Sequence, residues 1–130
     1  MDYTIRNLDE TKDSAPEFGF GELGEVHFPR EELGCETIGF AYHRLRPGKR
    51  QAFGHRHENA EEVYVVLDGD GRMRLDDEVR EIARHDAIRV APPVARALEA
   101  GPDGLTVIVF GPRHAADGEL LHDFWTDGAA

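Results

Sequence analysis

The sequence predicts an all-β fold, and three observations carry that prediction. Short runs of strand composition recur along the whole of its 130 residues. Clusters of Gly, Pro and Asp separate these runs at close intervals, as turns do. Helical periodicity is scarce and confined to one short stretch near the end. The length suits one domain around one hydrophobic core.

In chain order the first predicted strand is Tyr3–Arg6. The stretch "EFGFGELGEVHF" (17–28) mixes aromatics with glycines and reads as an irregular edge strand ending in Val26–Phe28. Thr37–Leu45 and Ala52–His57 follow, separated by the turn "RPGK" (46–49). Val63–Leu67 and Arg72–Leu75 flank "DGDG" (68–71), where Asp68-Gly69 followed by an alternating run signals a hairpin. "LDDE" (75–78) turns into Val79–Ile82, and Ala87–Val90 is next. Ala95–Glu99 and Leu105–Phe110 flank the turn "AGPDG" (100–104). In "GELLHDFW" (118–125), Leu120, Leu121, Phe124 and Trp125 would share one face of a short helix. Trp125 is expected to pack that tail onto the sheets.

Composition bounds the function. Lys and Arg total 15 against 26 Asp and Glu, a formal charge of −11. Such a field repels phosphate backbones and anionic lipid, so neither nucleic acid nor membrane is expected as a partner. No run of about 18 apolar residues occurs. The start "MDYTIRNLDE" has neither a basic head nor an apolar stretch, so a soluble, cytoplasmic protein is the expectation. Cys35 is the only cysteine, which excludes a disulfide framework within the chain and reads as an inert thiol.

The chemistry concentrates in "GHRHENAEEVYVVLDG" (54–69). On a strand His55 and His57 point the same way, and two adjacent imidazoles suit a divalent metal. Glu61 or Glu62 could add a carboxylate, but not both into one cavity. Tyr64 and Val66 go with Glu62, whereas Val63, Val65 and Leu67 go with Glu61. Both sets are apolar, so this strand is expected to be covered on both sides.

The run His55-x-His57, four residues, Glu62, six residues, Gly69, preceded by "RPGKRQAFG", resembles the first motif of the cupins. The resemblance covers about residues 37–110 and implies a double-stranded β-helix, a jelly-roll barrel, with a short C-terminal helical turn added. Residues 1–36 would then form N-terminal edge strands or an arm, and 111–130 a tail. The family spacing selects Glu62 over Glu61. Gly48 lies six residues before His55, where five is usual.

The second motif departs further. In "HDAIRVAPPVARALEAG" (85–101), His85 falls where the family has its first glycine. Ala91 stands at the proline, Pro93 at the second glycine, and Arg96 at the histidine that completes the metal shell. Arginine has no lone pair to offer and cannot ligate. A guanidinium about 5 Å from a divalent ion would cost ~6–7 kcal/mol at an effective dielectric of 20.

Two readings follow. In one, His55, His57 and Glu62 hold a divalent transition metal (Fe, Mn, Ni or Zn) on three sides, and Arg96 clamps an anionic substrate beside it. That describes an oxygenase, isomerase or lyase. In the other, the barrel binds a small molecule with little or no metal, and Arg96 pairs with Glu62. The expected function is a small-molecule-binding barrel with an incomplete metal site and an anionic ligand.

Phe53, sharing the face of His55, and Tyr64, sharing that of Glu62, are expected to border the ligand. Either Tyr42 or His43 points inward, and Met73 is a further candidate. His85 and His114 lie at turn-like positions and should be exposed. A homodimer is expected, because cupins commonly pair through sheets and because Val63, Val65 and Leu67 need cover. An N-terminal strand of the same chain is the other way to cover them.

Overall fold

The computed structural model of the chain describes residues 1–125. Eight strands follow one another: β1 (Gly24–His27), β2 (Ile38–Leu45), β3 (Gly54–His57), β4 (Glu62–Leu75), β5 (Glu78–Ala83), β6 (Ala87–Val90), β7 (Arg96–Pro112) and β8 (Gly118–Leu121). Every pairing is antiparallel. The order β1-β2-β7-β3-β8 forms one path, and β4 joins it through β7 while also pairing β5 and β6. Among the described residues, helical structure is limited to two 3-10 turns, Leu8–Glu10 and Ala15–Phe18, and the four-residue α1 (Arg30–Leu33). No helix among the described residues is long and apolar enough to cross a membrane.

The strands β4 and β7 hold the barrel together. They pair from Val63↔Phe110 to Leu75↔Arg96, with register shifts between Val66 and Asp68 and between Gly69 and Gly71. The expected hairpin at Asp68-Gly69 and the expected turn at Ala100–Gly104 are therefore both corrected. Each lies inside one continuous, bent strand. Gly69 (φ 77°) and Gly104 (φ 85°) face each other at the bend, and a Cβ on Gly69 would collide with the Gly104 carbonyl. Glycine here serves the close backbone approach of a bulge rather than a chain reversal.

Two further expectations are corrected. Tyr3–Arg6 forms no strand and stays exposed. The stretch 118–125 is not helical: Gly118–Leu121 is β8, paired with β3 from Gly54↔Leu121 to His57↔Gly118, and a turn follows. The open edge of β3 offers backbone hydrogen bonds that a one-turn helix of this length could not replace. The expected edge strand near the start exists as β1, at one end of the sheet path.

Alternation along β4 sets the core. Tyr64, Val66 and Met73 point in, joining Leu98, Leu105 and Val107 in one cluster. Trp125 packs on the barrel as expected. Its Nε1 donates to the Gln51 carbonyl at 3.1 Å, and the Arg50 guanidinium lies 4.5 Å from its ring centre.

Candidate functional site

The inner faces of β2, β3, β4 and β7 meet around Glu62. His55 and His57 both point inward from β3, their ring centres 5.1 Å apart and their planes nearly perpendicular. Glu62 opens β4 and shares the inward face of Tyr64. The Glu62 Oε1 lies 3.3 Å from His57 Nε2 and 3.6 Å from His55 Nε2. Arg96 opens β7 directly across from His55, and its Nη2 reaches to 3.6 Å from the same oxygen. The resemblance that set Arg96 beside the histidines thus agrees with the register.

Arg96 is 0% exposed. Its Nη1 donates to the Pro92 carbonyl at 3.2 Å, whereas Nε and Nη2 have no hydrogen-bond partner. Both ring nitrogens of His57 and Oε1 of Glu62 are buried without a hydrogen bond as well. Ion-pair contacts of 3.3–3.6 Å reach all of these atoms but Arg96 Nε, yet buried polar atoms left without a hydrogen bond are costly.

Charge states follow from these contacts. Burial works to raise the Glu62 carboxyl, but His55, His57 and Arg96 outweigh it and hold it below the usual range. Burial pushes His57 down, more than Glu62 lifts it. Burial likewise drives His43 down to about 4, helped by His55 and opposed by Glu62. Tyr64 is raised by burial and by the Glu62 carboxylate, with Arg96 opposing. At neutral pH Glu62 is therefore ionised while His43 and His57 are neutral.

Other side chains complete the walls. Of the pair Tyr42 and His43, His43 faces the pocket, with Gln51 Nε2 3.5 Å from its Nδ1. Tyr42 is buried on the other face, against His27. Met73 belongs to the apolar core. Phe53 lies between Phe20 and His122, its ring centre 5.5 Å and 6.2 Å from theirs. His85 and His114 are exposed, as expected.

Asp117 was not anticipated. It accepts from the Asn59 and Ala60 amides, both at 2.9 Å, and its Oδ2 lies 3.3 Å from His57 Nδ1. Asp117 thus stands behind His57, whose Nε2 faces Glu62, where a carboxylate stands behind a metal-ligating histidine. Nothing local signals Asp117, since 60 residues separate it from His57.

A divalent ion suits three of these groups. His55, His57 and Glu62 each offer one donor atom within 4.8 Å of the others. Donors about 2.1 Å from a tetrahedral ion stand about 3.4 Å apart. The 3.3 and 3.6 Å separations of Glu62 from the two imidazoles match that spacing. Arg96 fills the fourth side with a cation.

No family model matches the chain. It is 38% identical over 45 residues to the uncharacterized protein MJ1618 of Methanocaldococcus jannaschii, a match covering 35% of this chain and 36% of that protein. The match thus spans about a third of that curated relative. Among solved structures, a cupin protein (BF4112) from Bacteroides fragilis superposes with a TM-score of 0.71 at 20% identity, covering 89% of this chain and 88% of that one. A sugar phosphate isomerase from a cupin superfamily, from Silicibacter pomeroyi, gives 0.70 at 14% identity, covering 92% and 93%. These likenesses show the fold. The chain is a small, single-barrel protein of cupin fold, with a histidine–histidine–glutamate group that could hold a metal.

Proposed function

We propose that the protein is a small-molecule-binding barrel whose ligand is a small anion, anchored by Arg96 beside His55, His57 and Glu62, with Phe53 and Tyr64 against it. A divalent transition metal binds the three-donor group only weakly when the anion is absent. The observation that carries this reading is Arg96 itself, fully buried, with Nε and Nη2 lacking a hydrogen bond and only the Glu62 carboxylate, 3.6 Å away, facing Nη2. A guanidinium edge that makes no hydrogen bond suits a carboxylate or phosphate. The structural neighbour from Silicibacter pomeroyi is described as acting on a sugar phosphate, also an anion.

The spacing of the three donors supports a second reading, a metal-dependent enzyme on a small anionic substrate. There His55, His57 and Glu62 would hold the ion, which would supply Lewis-acid or oxygen chemistry. His43 and Asp117 would keep the imidazoles oriented, and Arg96 would orient the substrate. The chain is also proposed to act as a homodimer.

Elemental analysis of untagged protein, wild type beside Arg96→His, separates the two readings. The first expects well under one metal per chain in wild type and close to one in the variant. Stoichiometric metal in wild type that survives dialysis would replace the first reading with the second.

A further inference from the structure

Arg96 and Glu62 face each other in one pocket as an ion pair, Nη2 and Oε1 3.6 Å apart, and each repels a different guest. A divalent ion on His55, His57 and Glu62 must sit near the Arg96 guanidinium, whose Nη2 is only 3.6 Å from the liganding Glu62 oxygen. An anion on Arg96 must sit equally near the Glu62 carboxylate, whose Oε1 is 3.6 Å from Nη2. Neither guest alone matches the charge it meets.

Bound together, the guests remove both conflicts. The metal neutralises Glu62 toward the anion, and the anion neutralises Arg96 toward the metal. Arg96 cannot retreat easily, since it is 0% exposed and its Nη1 is tied to the Pro92 carbonyl. It cannot lose its proton either.

We infer that metal and a small carboxylate bind this pocket as a linked pair, each raising the affinity for the other, with Arg96 and Glu62 as the coupling residues. The inference rests on the anion-binding reading above. Thermodynamic linkage requires the two enhancements to be the same factor, and couplings between ligand sites commonly reach about 5- to 150-fold. Direct contact of opposite charges in a buried pocket favours the upper part of that range.

The test titrates full-length protein with Mn²⁺, reading free Mn²⁺ by its paramagnetic resonance signal, with and without acetate or benzoate. These monocarboxylates chelate free metal weakly. The reverse titration follows benzoate by calorimetry, in EDTA and then at saturating Mn²⁺. Both affinities should rise by the same factor, at least about tenfold. Arg96→Gln should tighten Mn²⁺ binding without carboxylate and abolish the enhancement. Glu62→Gln should let benzoate bind in EDTA, with circular dichroism confirming that each variant is folded.

Mn²⁺ and benzoate that both bind, with affinities indifferent to each other, overturn the linkage and leave the anion reading standing. Absence of carboxylate binding under every condition overturns the anion reading and the linkage with it.

Discussion

At the scale of single residues, the pocket depends on imidazoles that stay neutral. His43 is the sharpest case, with burial holding it near 4 against an ordinary 6.5, and with His55, Glu62 and Gln51 as its neighbours. Between those two values the unfolded chain binds a proton that the folded chain refuses. Stability therefore falls as pH drops from 6.5 towards 4, and the loss is complete below 4. The difference corresponds to about 3 kcal/mol for this one group. His57 is also lowered and acts in the same direction. Urea denaturation in EDTA at pH 7 and pH 4.5 should show most of the loss in wild type, with His43→Gln losing about 2 kcal/mol less; equal losses would refute the assignment. Much of this residue set is legible in the sequence, because His55 and His57 share a strand face. Parity leaves Glu61 and Glu62 open, and it is the resemblance to the cupin motifs that selects Glu62 and places Arg96. Asp117 and Gln51 are invisible there, because each joins the site only through the barrel's long-range pairing.

Individual elements show why the fold class was readable while several boundaries were not. Alternation distinguishes the faces of β4 correctly, yet turn composition at Asp68–Gly71 and Ala100–Gly104 would cut β4 and β7 in two. A glycine that lets a strand bend and a glycine that lets a chain reverse look the same in one dimension. The C-terminal stretch failed differently, because Leu120 and Leu121 followed by Phe124 and Trp125 satisfy helical spacing while β3 still lacks an edge partner. Beyond β8 this stretch straps the barrel. Arg74 donates to the Phe124 carbonyl at 2.6 Å and lies over its ring, and the Phe124 ring rests on Gly54. A Cβ on Gly54 would stand 2.5 Å from that ring. Gly54→Ala is therefore expected to lift Phe124 and its neighbour Trp125 while β3 persists. Trp125 is the only tryptophan, so its fluorescence reports the strap directly. A red shift with stability lowered by about 1–3 kcal/mol is expected. An unchanged emission maximum would mean that the strap does not depend on a bare Gly54.

For the whole molecule, the balance lies between an apolar outer sheet face and a large net charge. Ile38 on β2, Leu67 on β4 and Phe110 on β7 are 51%, 37% and 40% exposed. The register places Val63 beside Phe110 and Val65 beside Ile108, so these side chains share one face. The N-terminal segment does not cover it. Thr11 packs instead on His27, whose ring lies 5.5 Å from Tyr42, shielding the β1 side of the sheet. Glu61 and Arg89, paired at 2.8 Å, supply a polar rim. An apolar face rimmed by charge is the kind of surface that associates, and the same patch on a second copy is self-complementary about a two-fold axis. Each chain also carries a formal charge of −11, so two chains repel at long range. Screening should therefore favour the pair, since the Debye length shrinks from about 30 Å at 0.01 M salt to about 8 Å at 0.15 M. Light scattering after size exclusion should give about 29 kDa, twice the 14.5 kDa chain, with the dimer fraction rising with salt. Phe110→Glu places a charge at the centre of the patch and should yield a 14.5 kDa monomer with its far-ultraviolet dichroism intact. A wild type that stays at 14.5 kDa across salt and concentration would instead leave this face to another partner.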